Sequence, residues 1–514
     1  MSVAHNYPGV YIEEIPSSVR TIIGVGTSIT AFIGRALKGP IDKAALIHSY
    51  ADYVRIFGGL WKDSNMSYAA YQYFQNGGMD AVIVRVTKNA AEATFTTAQN
   101  GPNLKAADPG MWGENLVIVV TEADADKKTQ DKDNTYFNLA VYQKTDNPNK
   151  IGPLLEMFRN VSLKPESPRY IGKLLVEGVS TYLRIDGAIP SSNDPLPPNS
   201  DYQLNPNVAS DGATLDGAAI IGDPDAKTGI YALKNTDLFN LLCIPAFDEP
   251  DTRSKIFADA LEFCTDRRAI LLVDPPAGTN SWDSTAEVVA NFGSYVDRDK
   301  NGAIFFPRII APDPLEEYRL KQFDPCGAVA GVIARTDAQR GVWKAPAGLE
   351  ATLMGVPDLS VRMTDAENGE LNPKGINCLR IMSDAGRVIW GSRTLRGADN
   401  LADQWKYLSV RRMALYIEET LYRGTQWVVF EPNDEKLWSQ IRLNVGAFMH
   451  SLFVKGAFQG TDPKKAYLVK CDSETTTQTD IDSGIVNILV GFAPLKPAEF
   501  VIIKIQQLAG QESE

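Results

Sequence analysis

Two prolines near the C-terminus constrain this chain more than any other feature. In Ala493-Pro494-Leu495-Lys496-Pro497, each proline fixes its own φ and neither can donate to a ladder, so the run interrupts any sheet it enters. Immediately beyond it, Phe500 to Ile505 (FVIIKI) has the β-branched and aromatic make-up of a strand. A strand on a stiff elbow either folds back on its own domain or reaches the sheet edge of a neighbour. The N-terminus repeats the situation. Val10 to Ile15 (VYIEEI) lies between Tyr7-Pro8-Gly9 and Pro16-Ser17-Ser18. A lone strand between two breaks cannot bury its faces locally, so it joins a sheet elsewhere in the fold or in another subunit.

Upstream of the elbow the pattern changes period several times. Gly341 to Gly348 (GVWKAPAG) is a Pro/Gly-punctuated connector, and Arg387 to Trp390 (RVIW) reads as a short buried strand. Between Leu401 and Arg423, the residues Val410, Met413, Ala414, Ile417 and Leu421 recur at helical spacing, with Gly424 at the stop. Trp427 to Phe430 (WVVF) reads as a strand, and Glu431 to Asp434 as a turn that caps the next helix. That helix carries Leu437, Ile441, Val445, Phe448 and Leu452 on one stripe and ends at Gly456. Tyr467 to Val469 and Ile485 to Val490 are further strand candidates.

Closer to the N-terminus, strands at Ser28 to Gly34 and Ala81 to Val86 alternate with helices at Ser49 to Phe57 and Ser67 to Phe74, as α/β layers do. Residues 91–217 carry strand candidates between polar, proline-rich loops. The α/β pattern resumes at Leu241 to Pro245, Arg253 to Cys264, Ala269 to Pro276 and Gly302 to Ile310. The expected fold is therefore an α+β multidomain chain of 514 residues. Its parts are terminal arms at 1–20 and 495–514, a split α/β middle domain at 21–90 and 218–340, a β-rich insertion at 91–217 and a C-terminal αβ core at 341–494.

Composition narrows the function. A net charge of −12 without a large basic tract argues against nucleic acid as the main ligand. With no charged and apolar leader and no membrane-length apolar run, the chain is expected to stay in the cytoplasm of the cell that makes it. Five scattered cysteines, with no CxxC pair, read as reduced structural thiols. Gly24-Val25-Gly26 opens like a dinucleotide fingerprint but has Ile29 where the third glycine belongs, and Gly222 to Thr228 lacks the glycine a phosphate loop needs before its lysine. Asp297, Asp299, Asn301 and Gly302 begin like a calcium loop that Arg308 fails to complete. His5, His48 and His450 fall at no metal-ligand spacing. No cofactor or metal is implied.

GVWKAPAG, LNPKGIN (Leu371 to Asn377), VIWGSRTL (Val388 to Leu395), WKYLSVRR (Trp405 to Arg412), IEETLYRGTQWVVFEPND (Ile417 to Asp434) and LKPAEFVIIKI (Leu495 to Ile505) occur in that order. Together with PGVYIEE near the N-terminus, this series resembles the contractile tail sheath proteins of bacteriophages and phage-tail-like injection systems. Met111 to Asn115 and Phe158 to Leu163 resemble motifs of the outer domain of that family. The resemblance implies a structural subunit, not an enzyme, that stacks in six-membered rings around an inner tube and contracts to drive the tube through a target membrane. Exchanged strands would come from Val10, Tyr11, Ile12 and Glu13 and from Phe500, Val501, Ile502, Ile503 and Ile505, with Ile485, Val486, Ile488 and Val490 on the acceptor strand. Lys406, Arg411 and Arg412 would meet an acidic strip of the tube, although a solvated, locally paired face explains that cluster equally well. The partners implied are further copies, the inner tube protein, and baseplate and tail-terminator or cap proteins. Neither nucleic acid nor direct membrane insertion is implied. Two other readings stay open: an α/β enzyme with its site in the split middle domain, and a non-contractile shell or baseplate component.

Overall fold

The computed structural model describes residues 20–97, 101–124, 136–145, 147, 150–189, 202–246, 253–278 and 281–504. The chain divides into two compact units, one of Gly26–Arg340 with Ala345–Arg411, the other of Met1–Val25, Gly341–Lys344 and Arg412–Glu514.

An eight-stranded sheet organises the larger unit. Its strands are β1 (Thr30–Gly34), β2 (Ala44–Ile47), β3 (Ala81–Arg85), β4 (Leu241–Cys243), β5 (Ile270–Val273), β6 (Gly302–Phe306), β7 (Asn377–Met382) and β8 (Gly386–Ile389). They lie in the order β8-β7-β6-β5-β4-β1-β3-β2. The six inner strands are parallel, and β2 and β8 pair antiparallel at the two edges. Parallel strands are covered on both faces, which is why they read as unbroken apolar runs: TAFIG, ILLV and GAIFF are buried at every position. The accompanying helices are α1 (Tyr50–Phe57), α2 (Asn65–Gln75), α3 (Arg253–Asp266), α4 (Thr285–Tyr295) and α5 (Cys326–Arg340). Ser49, Ser64 and Ser284 cap α1, α2 and α4 by accepting the amide three residues on. Helix α5 approaches α2 so closely that a Cβ on Gly327 would lie 2.1 Å from the Ala69 carbonyl oxygen, so only glycine fits there.

Residues 91–217 contain two antiparallel sheets, one of three strands (Leu116–Glu122, Tyr136–Gln143, Leu154–Ser162) and one of four. Phe95, Leu104, Ile118, Leu139 and Val141 are among their buried residues.

The expected boundary at 341 is displaced. Strands β7 and β8 extend the central sheet through the pairs Phe305↔Asn377 and Phe306↔Cys378, so residues 345–411 belong to the larger unit. A Pro/Gly connector such as GVWKAPAG marks a change of direction but does not say which body the chain enters next.

In the smaller unit, helix α6 (Leu408–Gly424, from Arg412 onward) packs with α7 (Glu435–Val454). The expected stripe Leu437, Ile441, Val445, Phe448 and Leu452 is buried throughout, and Asp434 Oδ1 accepts the Leu437 amide at 2.9 Å to cap α7. WVVF is not a strand: Gln426–Val428 is one 3-10 turn, and Phe430 sits at φ 69° with its ring fully exposed. Four apolar residues are too few for periodicity to separate a strand from a turn.

Candidate assembly surface

The first described residues run along the smaller unit. The Arg20 amide donates to Asn444 Oδ1 at 3.0 Å, and the Arg20 guanidinium stacks 4.7 Å over the Trp427 ring. The Val25 amide donates to Thr420 Oγ1 at 3.3 Å. A Cβ on Gly24 would lie 2.0 Å from the Tyr416 hydroxyl oxygen, so this glycine serves close packing against α6. Sequence reasoning assigned residues 21–25 to the middle domain, because nothing local to GVG signals a distant tyrosine. Val10, Tyr11, Ile12 and Glu13 lie outside the described residues.

The other terminus leaves the same unit. Strand β9 (Tyr467–Lys470) pairs antiparallel with β10 (Leu489–Phe492), in register Tyr467↔Phe492 to Lys470↔Leu489. No third strand joins this sheet among the described residues. Along the expected acceptor run Ile485–Val490, Val486, Ile488 and Val490 are half-buried against the core while Ile485 is exposed. Its ladder is shorter than expected and starts only at Leu489. Before that, the Ile485 amide donates to the Asp480 carbonyl, the Asn487 amide donates to Thr476 Oγ1, and the Ile485 carbonyl accepts from Asn433 Nδ2. These local partners satisfy the backbone that a ladder would otherwise use.

After β10, the Ala493 amide donates to the Ala466 carbonyl, the Ala493 carbonyl accepts the Gln459 amide, and Pro494 bridges Phe458. The elbow is thus anchored at its start. Beyond it, residues 495–504 are in neither helix nor strand. Phe500, Val501, Ile502 and Ile503 are 73%, 83%, 80% and 80% exposed. The strand expected at Phe500 to Ile505 is therefore absent over 500–504, and Ile505 lies outside the described residues. Four adjacent apolar side chains in water forgo about 1.5–3 kcal/mol each relative to burial. A monomer gains nothing from such an arrangement, whereas a covering partner would.

The basic cluster is placed differently from expectation. Arg411 and Arg412 are each only 4% exposed. Arg411 Nε donates to Asn301 Oδ1 at 3.1 Å, and its guanidinium lies 4.9 Å from the Trp405 ring centre. Lys406 Nζ lies 2.7 Å from Asp399 Oδ1, and this hydrogen bond is the main reason the Asp399 carboxyl sits below its usual pKa. Arg411 and Arg412 are thus buried within the chain and do not form an outward strip. Arg–Arg on an amphipathic helix gave no sign that both would be buried.

In a parallel α/β sheet, ligands favour the crevice at the carboxyl ends of the strands where the strand order reverses, here between β1 and β4. That position is filled. Met66 packs on Gly34, Asn65 Nδ2 donates to the Ala246 carbonyl at 2.6 Å, and Ser64 Oγ bonds the Arg35 carbonyl. The phosphate-loop look-alike closes on itself through Asp223 Oδ1, which accepts the amides of Asp225 and Ala226. The calcium-loop look-alike spends Asn301 on Ala269 and Arg411. All five cysteines are buried and free.

Comparison with known proteins converges on one family. The family model for the phage tail sheath protein central domain matches residues 219–395, and that for the C-terminal domain matches 402–507. The tail sheath protein of Enterobacteria phage T4 is 24% identical over 232 residues, 44% of this chain. The chain spans only 33% of that relative's length. A putative prophage major tail sheath protein of Pseudomonas aeruginosa is 26% identical over 297 residues, covering 55% of this chain and 70% of the relative. Among solved structures, the contracted helical sheath of the anti-feeding prophage aligns over 98% of this chain and 100% of its own, with TM-score 0.58 and 24% identity. The sheath tail protein of Listeria innocua aligns over 91% and 96%, with TM-score 0.62 and 13% identity. At these identities the structural likeness speaks for the fold.

Proposed function

Because the chain belongs to the contractile phage tail sheath family, we propose that it is the subunit of a sheath built as stacked six-membered rings around an inner tube, which drives that tube through a target membrane on contraction. The observation that carries this reading is the C-terminal arm. Beyond an anchored elbow, the C-terminal arm presents four exposed apolar residues, and the sheet that leads into that elbow has two strands among the described residues. Strand addition satisfies both needs at once: the arm gains ladder bonds and cover, and the acceptor sheet gains a third strand. Residues 1–20 would serve a neighbouring copy in the same way.

The sheath would be made in the cytoplasm and then become part of the particle, with the tube protein, baseplate and tail-terminator or cap proteins as partners. Among the described residues no helix is long and apolar enough to cross a membrane. Contraction would exchange small inter-ring contacts for larger ones while the exchanged strands keep the lattice connected. A gain of about 1–2 kcal/mol per subunit, a modest interface difference, would sum over many copies to a large mechanical output. Negative-stain microscopy of the purified full chain tests the reading. Hollow striated cylinders are expected; a preparation of single chains under all assembly conditions would refute it.

A further inference from the structure

We propose that Asp274, Asp324 and Arg308 form a proton-regulated clamp that holds the start of α5 against the carboxyl ends of β4, β5 and β6, and that it loosens as its proton is lost. This rests on the larger unit alone and is independent of the assembly reading.

All three side chains are buried. Asp274 follows β5, and its Oδ1 accepts the Cys326 amide at 2.8 Å from the first turn of α5. Asp324 lies two residues before the start of α5; its Oδ2 accepts the Ala246 amide at 2.7 Å beyond β4, and its Oδ1 pairs with Arg308 Nη1 from the segment after β6. Tyr295 donates its hydroxyl to the Asp274 carbonyl at 2.9 Å. One oxygen is left over: Asp274 Oδ2 is buried and has no hydrogen-bond partner among the described residues.

The charge count explains that oxygen. Two carboxylates face one guanidinium, so the fully ionised cluster would hold an uncompensated negative charge away from water, which folded proteins avoid by retaining a proton. The other groups facing Asp274 are the Cys326 and Cys243 thiols, which burial keeps protonated. Burial first, and the Asp324 charge second, push the Asp274 carboxyl up to about 8. The sign follows from which state holds the proton. Between about pH 4 and about pH 8 the folded chain keeps a proton that the unfolded chain releases, so stability from this group is full below that window and falls as pH rises through it. The folding equilibrium changes by up to about tenfold per pH unit.

The test is thermal unfolding of the full chain between about pH 6 and about pH 9, wild type against Asp274→Asn, with the infrared carbonyl band of a protonated carboxyl followed in wild type over the same range. The wild type is expected to lose stability relative to Asp274→Asn by up to about tenfold in the folding equilibrium per pH unit, and the band to be present at the acid end and to vanish at the alkaline end. Parallel unfolding profiles, or no protonated-carboxyl band at the acid end, would overturn the proposal. The band is read on wild type, so it decides the question even if Asp274→Asn fails to fold.

Discussion

At the residue scale, the strongest constraints are side chains whose charge or absence is used far away in sequence. Arg411 reaches Asn301, 110 residues away, and stacks on Trp405. Replacing Arg411 with Ala leaves Asn301 Oδ1 without its donor inside the larger unit. A loss of about 2–4 kcal/mol is expected, read as a lower denaturation midpoint with unchanged slope. If Arg411 served chiefly to grip a tube, the isolated chain would keep its stability instead. Gly24 is the complementary case. Gly24→Ala should release the N-terminal segment from α6, seen as faster proteolysis before residue 26, and Tyr416→Ala in the same chain should restore protection by clearing the hydroxyl. Equal protection in Gly24→Ala and wild type would remove the packing role assigned here. Neither role was legible in advance: sequence shows a residue's type and its spacing to neighbours, not a partner a hundred or more positions off.

At the element scale, what could be read depended on length. The stripe Leu437 to Leu452 spans four turns, and its burial follows the 3.6-residue period closely. The parallel strands announced themselves as unbroken apolar runs. WVVF, with four residues and no repeat, did not, and Ile485–Val490 read as a strand while hiding that the Ile485 and Asn487 amides are taken by Asp480 and Thr476. The boundary moved from 341 to 412 for a related reason: β7 and β8 join the central sheet through a pairing with β6, and a pairing partner is written nowhere in the strand itself. The acceptor role proposed for β10 belongs to this scale. Val490→Pro, which puts a proline into the strand at the position paired with Val469 and removes an amide that faces away from β9, should abolish polymerisation while leaving the helical core folded by circular dichroism. Unimpaired polymers from that variant would place the arm's partner elsewhere.

For the whole molecule, the proposed assembly rests on an arm that finds no cover within the described residues of its own chain. The exposed run Phe500 to Ile503 lacks cover and the sheet before its elbow has two strands among the described residues; in the proposed lattice of identical copies, each would be completed by a neighbour. The most direct measurement is removal of residues 495–514, with polymer formation followed by light scattering and stability by calorimetry. The account predicts a chain with an unchanged denaturation midpoint that stays monomeric. Cylinders assembled by the shortened chain as readily as by the intact one would contradict it.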